Sequence, residues 1–457
     1  MKSIQLVVVT CAVGVILSSG AAPTLAESLQ DALVHTYQSN PTLLAERARL
    51  RSTDENVSQA LSEWRPTVSI SGDAGYQIRR RTTDGGDKTS STTQPRGATL
   101  SIDQTLYNGG QTSAATRRAE NLVRSDRARL LRMEQNVLLS AVTAYVGVMR
   151  DQAVLELNIN NERVLRHQLE ATRDRFSVGE VTRTDVAQAE SRLSRAIAER
   201  VRAEGDLVNS RATYQNVVGT APGKLEPAKP LKNLPANEAE AMKLARERSF
   251  GIVEAEFIER AARDQVDRVS GELLPTLDIS GDFSLDYENV NSESKTDTIA
   301  ITATLIIPLY QSGDVSSRIR AAKQIVAQRR NERNQAVRDA REEGTRTWED
   351  LETARAQIRS FTAQVRATEI ALEGVQQEAR VGSRTVLDVL DAEQELLDAR
   401  VSLVRAERDE VVAAYQLRGA VGRMTAESLN LPVKMYDFTK YYRRVRNKWS
   451  GLDVDKE

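Results

Sequence analysis

Cysteine, histidine and aromatic residues are scarce in this sequence: one cysteine, two histidines, and aromatics at 4%. Cys11 lies inside IQLVVVTCAVGVIL, an apolar run that follows Lys2. A positive start, an apolar core and the small residues TLA ending at Ala26 form a secretory signal, so residues 1–26 are expected to be removed. The mature chain would then lack any thiol, which excludes disulfides, a cysteine nucleophile and a lipid-acceptor cysteine. His35 and His167 fall in different helical regions, and neither has metal-ligand spacing. The sequence also lacks a nucleophile elbow and a phosphate loop, so no enzymatic activity, metal or cofactor is expected. After residue 26 no apolar run is long enough for a transmembrane helix, although barrel strands would escape such a search. Charged residues make up 28%, interspersed to a net charge of −1, which does not suit a nucleic-acid binder. With so few aromatics, this composition favours long helices with narrow seams over a thick core.

Proline is absent from 96 to 221 and again from 309 to 431. Between these spans, TAPGKLEPAKPLKNLP (220–235) holds four prolines, a linker composition. The two sides of the linker repeat one another. PTVSISGD at 66–73 returns as PTLDISGD at 275–282, LYNGGQTS at 106–113 as LYQSGDVS at 309–316, and VGEVTRTDVAQAE at 178–190 as VGSRTVLDVLDAE at 381–393. The spacing between the first two motifs differs by six residues in the two copies, across polar loops RRRTTDGGDKTSSTTQPRG and YENVNSESKTD. The expected organisation is a first repeat at 27–219, a linker at 220–235, a second repeat at 236–422 and a C-terminal tail at 423–457.

Each repeat carries two alternating segments, expected as strands at about 66–80 and 97–107, and about 275–290 and 296–310. Val68, Ile70, Leu277, Ile279, Ile299 and Ile301 point one way, and Ser69, Ser71, Asp278, Ser280 and Thr302 the other. A soluble sheet with one wet face would alternate in the same manner. Strands of this length also cross a bilayer when tilted. Four cannot close a membrane barrel, so a membrane reading requires an oligomer: two copies give eight strands, three give twelve. Helical hairpins are expected at about 111–218 and 314–421. Leu351, Ala354, Ile358, Phe361, Val365, Thr368, Leu372 and Val375 alternate steps of three and four, a coiled-coil seam. Each hairpin should turn at a glycine, Gly179 or Gly382, and restart at a capping box, Thr182 with Asp185 or Thr385 with Asp388.

The duplication, the strand pairs and the two tips, VGEVTRTD and VGSRTVLDVLDAE, resemble the TolC family of outer-membrane efflux and secretion channels over nearly the whole mature chain. The resemblance implies a mixed α and β membrane protein. In it, three copies share one twelve-stranded β-barrel, and their coiled-coil helices form an α-barrel through the periplasm. It implies an exit duct carrying small molecules or proteins, docked on a periplasmic adaptor and an inner-membrane ABC or RND transporter. The lack of a lipid-acceptor cysteine leans toward the TolC-like branch. By match, Val178, Gly179, Thr182, Asp185, Val381, Gly382 and Thr385 would meet the adaptor. Asp388 and Asp391, three apart on one helix face, would narrow the periplasmic entrance, with Arg384 helping to hold it closed. The aromatic partner of that latch is replaced by Ala379. A periplasmic coiled-coil adaptor with a soluble sheet is the alternative. The basic and aromatic tail sequence YYRRVRNKW has no reading from sequence.

Overall fold

A computed structural model describes residues 27–454 except 87, 229, 230 and 232. The signal segment, with Cys11, lies outside the described residues.

The chain opens with α1 (Leu29–Ser39) and α2 (Pro41–Ser62). Pro66 then leads into β1 (Thr67–Ala74), followed by β2 (Gln77–Thr82), β3 (Lys88–Thr93) and β4 (Arg96–Asn108). Two long antiparallel helices follow, α3 (Gln111–Ser177) and α4 (Arg183–Val218). The second half repeats the order with α5 (Glu238–Arg248), α6 (Phe250–Gly271), β5 (Thr276–Tyr287), β6 (Lys295–Ile306), α7 (Asp314–Arg380) and α8 (Val386–Ala420). A short α9 (Lys440–Val445) lies in the tail.

With no proline to interrupt them, α3 and α7 each run for 67 residues. At 1.5 Å per residue that is about 100 Å. The returning α4 spans only 36 residues, and α2 covers the remainder of α3. One side chain joins the two shorter helices. Asn40 Oδ1 accepts from the N–H groups of Thr42 and Leu43 at the start of α2 (3.0 and 3.3 Å), while its Nδ2 donates to the Val217 carbonyl at the end of α4 (2.9 Å). Groups left orphaned at both helix ends are thereby satisfied. In the second half Gly422 lies two residues past the end of α8, with φ of +71°, and a Cβ there would lie 2.5 Å from the Arg248 carbonyl at the end of α5. Only glycine permits that approach.

The four strands β1-β4-β5-β6 form one antiparallel sheet. Its register aligns Ile70, Leu100, Phe283 and Ile299 in one row, and Val68, Ile102, Gly281 and Ile301 in the next. The apolar side chains of all four strands therefore share a face. Asp73, Ser101, Asp278, Asp282 and Asp286 share the other, where Ser101 and Thr105 donate to Asp282 and Asp278 at 2.7 Å. Ile70, Ile299 and Ile301 are 78–79% exposed within this chain, and the outer edges of β1 and β6 are unpaired among the described residues. An apolar face this exposed and two open edges mark a sheet that is completed by something else.

One sequence expectation requires correction. The first alternating segment was expected to continue to about residue 80, followed by an irregular polar loop. Instead the ladder breaks at Gly75, which donates to the Pro95 carbonyl (2.7 Å), and β2 pairs with β3 as a separate hairpin. Pro95 has no N–H to extend the ladder. The six extra residues belong to this first copy. TSSTT forms a strand although both of its faces are polar, so alternation of hydrophobicity could not reveal it. The tail is structured. Met424, Ala426 and Leu431 are buried against the main core. Arg47 lies between the rings of Tyr37 and Tyr436, and Arg127 between those of Phe438 and Tyr442.

The main core lies where α1, α3, α4, α8 and the tail meet, around Leu138, Val142, Tyr145, Tyr214 and Met424. Tyr145 and Tyr214 pack at 6.3 Å with a 50° tilt, and the Tyr145 hydroxyl is 2.8 and 2.7 Å from the carbonyls of Glu27 and Glu226. This ties the chain start and the linker to the spine helix. The seam of α7 is buried at Leu351, Ala354, Thr368 and Leu372 and half-buried at Ile358, Phe361, Val365 and Val375.

Candidate functional site at the hairpin tips

Both tips use the same backbone construction. Gly179 and Gly382 adopt φ of +81° and +80° just past the long helices, with open space around them. A side chain there would fit sterically, yet its backbone would be held in the left-handed region at a cost of about 1–2 kcal/mol. Glu180 N–H then donates to Arg175 O (2.9 Å), and Ser383 N–H to Glu378 O (3.0 Å). Thr182 and Thr385 restart the chain with reciprocal capping boxes. Their hydroxyls accept from the N–H of Asp185 and Asp388 at 3.3 and 3.2 Å, and those carboxylates accept the threonine N–H at 2.8 and 2.9 Å. Val178 and Val381 project into solvent, 77% and 81% exposed.

Asp388 and Asp391 both lie in the first turns of α8 but have different partners. The Thr385 N–H and hydroxyl hold the Asp388 carboxyl below the usual carboxylate range. Asp391 reaches α4, where it pairs with Arg192. Arg384 pairs with Glu378 across its own turn (2.8 Å) and so stays within the second tip. The first tip has a matching internal pair, Arg175 with Glu180 (2.6 Å).

An apolar cluster joins the two hairpins near these tips. Val386 and Leu390 of α8 pack against Leu165, Leu169, Ala189 and Ala196 of α3 and α4. Arg192 and this cluster were not identified from sequence. A signal exists in the repeat: Asp391 matches Gln188, and Arg192 matches Glu395, so both members of the new pair are positions where the copies differ in charge. Among the described residues no cluster of His, Cys, Asp and Glu could hold a metal ion.

The family described as "Outer membrane efflux protein" matches the chain in two stretches, residues 32–220 and 241–423. The outer membrane efflux protein BepC of Brucella suis is 37% identical over 440 residues, covering 96% of this chain and 94% of that protein. The outer membrane protein TolC of Vibrio cholerae is 26% identical, covering 94% and 97%. Among solved structures, the outer membrane protein VceC of Vibrio cholerae superposes with a TM-score of 0.75 at 20% identity, covering 86% of this chain and 96% of that one.

Proposed function

The chain belongs to the outer membrane efflux protein family and is an exit duct of the outer membrane; from that premise we propose how its parts are used. The observation that carries the reading is the four-stranded sheet, apolar on one exposed face and open at both edges. Lipid tolerates no open edge, and four strands do not close. Three copies, each contributing two repeats (27–219 and 236–422) joined by the linker, supply twelve strands. The apolar face then meets lipid, and the face bearing Asp73, Asp278, Asp282 and Asp286 lines a lumen that favours cations.

The helical hairpins extend into the periplasm. Val178, Gly179, Thr182, Asp185, Val381, Gly382 and Thr385 form the end that docks a periplasmic adaptor, which links the duct to an inner-membrane ABC or RND transporter. The two exposed valines supply its apolar contact. Asp388 and Asp391, brought round a threefold axis, form the acidic entrance, and Arg384 braces it through Glu378. Arg192 belongs to the same group, because it holds Asp391 against the first hairpin. The chain acts as a conduit, with no catalytic step.

Single-channel conductance of the purified protein in a planar bilayer tests this. A small stable conductance should be blocked by multivalent cations from one side. The double variant Asp388→Ala/Asp391→Ala should lose that block. A block that persists removes the entrance assignment; no conductance, from protein that extracts without detergent, removes the duct. Gly382→Trp should abolish export while the trimer persists, and normal export in that variant would remove the tip as a docking surface.

A further inference from the structure

The tail from Lys440 to Trp449 carries five cations and no carboxylate. Its contacts climb along α2 toward the sheet. Tyr436 stacks on Arg47, the Tyr441 hydroxyl donates to Glu55 (2.6 Å), and the Lys448 carbonyl accepts from Arg65 Nη1 (2.7 Å). The Trp449 ring lies 5.1 Å from the Arg65 guanidinium. Arg65 is two residues before β1, whose apolar face begins at Val68. Arg446, paired with Glu120 of α3 (3.1 Å), fixes the segment sideways. The tail is thus held at the level where the sheet begins.

At that level the tail presents apolar groups to the outside. Trp449 is 71% exposed and Leu452 is 99% exposed. Tyr310, just beyond β6, is also exposed at the same end of the sheet. Tryptophan and tyrosine favour the head-group region of a bilayer, where an amphipathic ring has both an apolar and a wet side. Clustered Lys and Arg beside such rings attract anionic head groups. We propose that residues 443–452 dock on the periplasmic leaflet of the outer membrane. Trp449 and Leu452 insert at head-group depth, and Arg443 and Lys448 pair with the phosphates of anionic phospholipids. This rests on the reading that the sheet spans the membrane. One apolar insertion combined with a basic patch gives the two signals that stable surface anchoring needs.

The test uses the full chain reconstituted in phosphatidylethanolamine vesicles. The W64F/W348F background leaves Trp449 as the sole tryptophan. A minor fraction of the lipid is brominated, as either phosphatidylglycerol or phosphatidylethanolamine. Trp449 emission should be quenched by both, and brominated phosphatidylglycerol should be enriched about fivefold around it for each engaged cation. That preference should vanish in R443Q/K448Q. Equal quenching by the two lipids overturns the anionic recognition. A separate variant, I301W with all three native tryptophans changed to Phe, reports whether the sheet is in the bilayer. If that probe is quenched and Trp449 is not, the tail is covered by another protomer or faces the lumen, and the proposal fails. If neither is quenched, the membrane reading of the sheet fails with it.

Discussion

The two longest helices are equal in length and placed identically in their repeats, yet they are buried differently. α3 packs against α1, α2, α4, α6 and α8 and buries large side chains such as Leu138, Val142 and Tyr145. α7 packs against α5, α6 and α8, buries mainly small residues and a thin seam, and leaves Ile325 and Ile370 in solvent. Duplication copied the geometry; later substitution made one helix the spine of the protomer and left the other a free face. The tips diverge in the same way. Their turns and caps superpose in construction, but Arg173 bridges to Glu190 in the first (2.6 Å), whereas Gln376 bridges to Glu393 in the second (3.0 Å). With a neutral amide where the first tip has an arginine, burial pushes the Glu393 carboxyl up, and the Gln376 hydrogen bond and Arg400 offset it only in part. Backbone form is conserved between the halves, and charge is where they differ.

The largest test of this contrast is a pair of truncations. Leu138→Ala on α3 should cost about 2–5 kcal/mol, because a fully buried side chain leaves a cavity. Ile325→Ala on α7 should change protomer stability by about 0.5 kcal/mol or less, as an exposed site does, while weakening trimer assembly. Thermal unfolding, with trimer content read by native electrophoresis, distinguishes the two. Equal protomer losses would mean that α7 is a core helix after all.

A second contrast concerns buried carboxylates. Glu259 in α6 is paired with Arg263 and Arg333 (2.5 and 2.8 Å). Asp54 in α2 is equally buried, but its Oδ1 has no hydrogen-bond partner among the described residues. Burial pushes the Asp54 carboxyl to about 7, with Arg127 only partly offsetting it. The folded state therefore holds a proton that the unfolded state releases. The associated stability is full below about pH 4 and is lost as pH rises toward 7. Asp54→Asn should thus be more stable than the native chain at pH 8, by about 1–3 kcal/mol, and nearly equal to it near pH 4. Glu259→Gln should instead be less stable than the native chain at pH 8, by about 1.5–3 kcal/mol, because Arg263 and Arg333 lose a charged partner. Denaturation of both variants at the two pH values checks the sign; a stabilised Glu259→Gln would break the contrast.

The smallest effect is expected where the repeats agree. Thr182→Ala and Thr385→Ala should each cost about 1 kcal/mol of local stability, through loss of the same cap. Hydrogen exchange at the first turns of α4 and α8 measures it. Unequal losses would mean that the two tips differ in construction as well as in charge.

Much of the fold was legible from local rules. Proline-free spans, the heptad at Leu351–Val375, the glycine-then-threonine tips and the period-two alternation of Ile70 or Ile301 each follow from chain-neighbour geometry. A periodicity is a property of sequence alone. The β2–β3 hairpin was not legible, since Ser and Thr on both faces give no alternation. Nor was the pairing of Asp391 with Arg192, two side chains 199 residues apart. The sequence by itself therefore determined the elements: two copies of a strand pair and a long hairpin, with their turns and caps. Only the tertiary structure decided which copy of the long helix became the core, where the tail lies, and which carboxylates found partners. Those outcomes depend on contacts between residues far apart in the chain, whose burial and charge balance are set by the packing of whole helices.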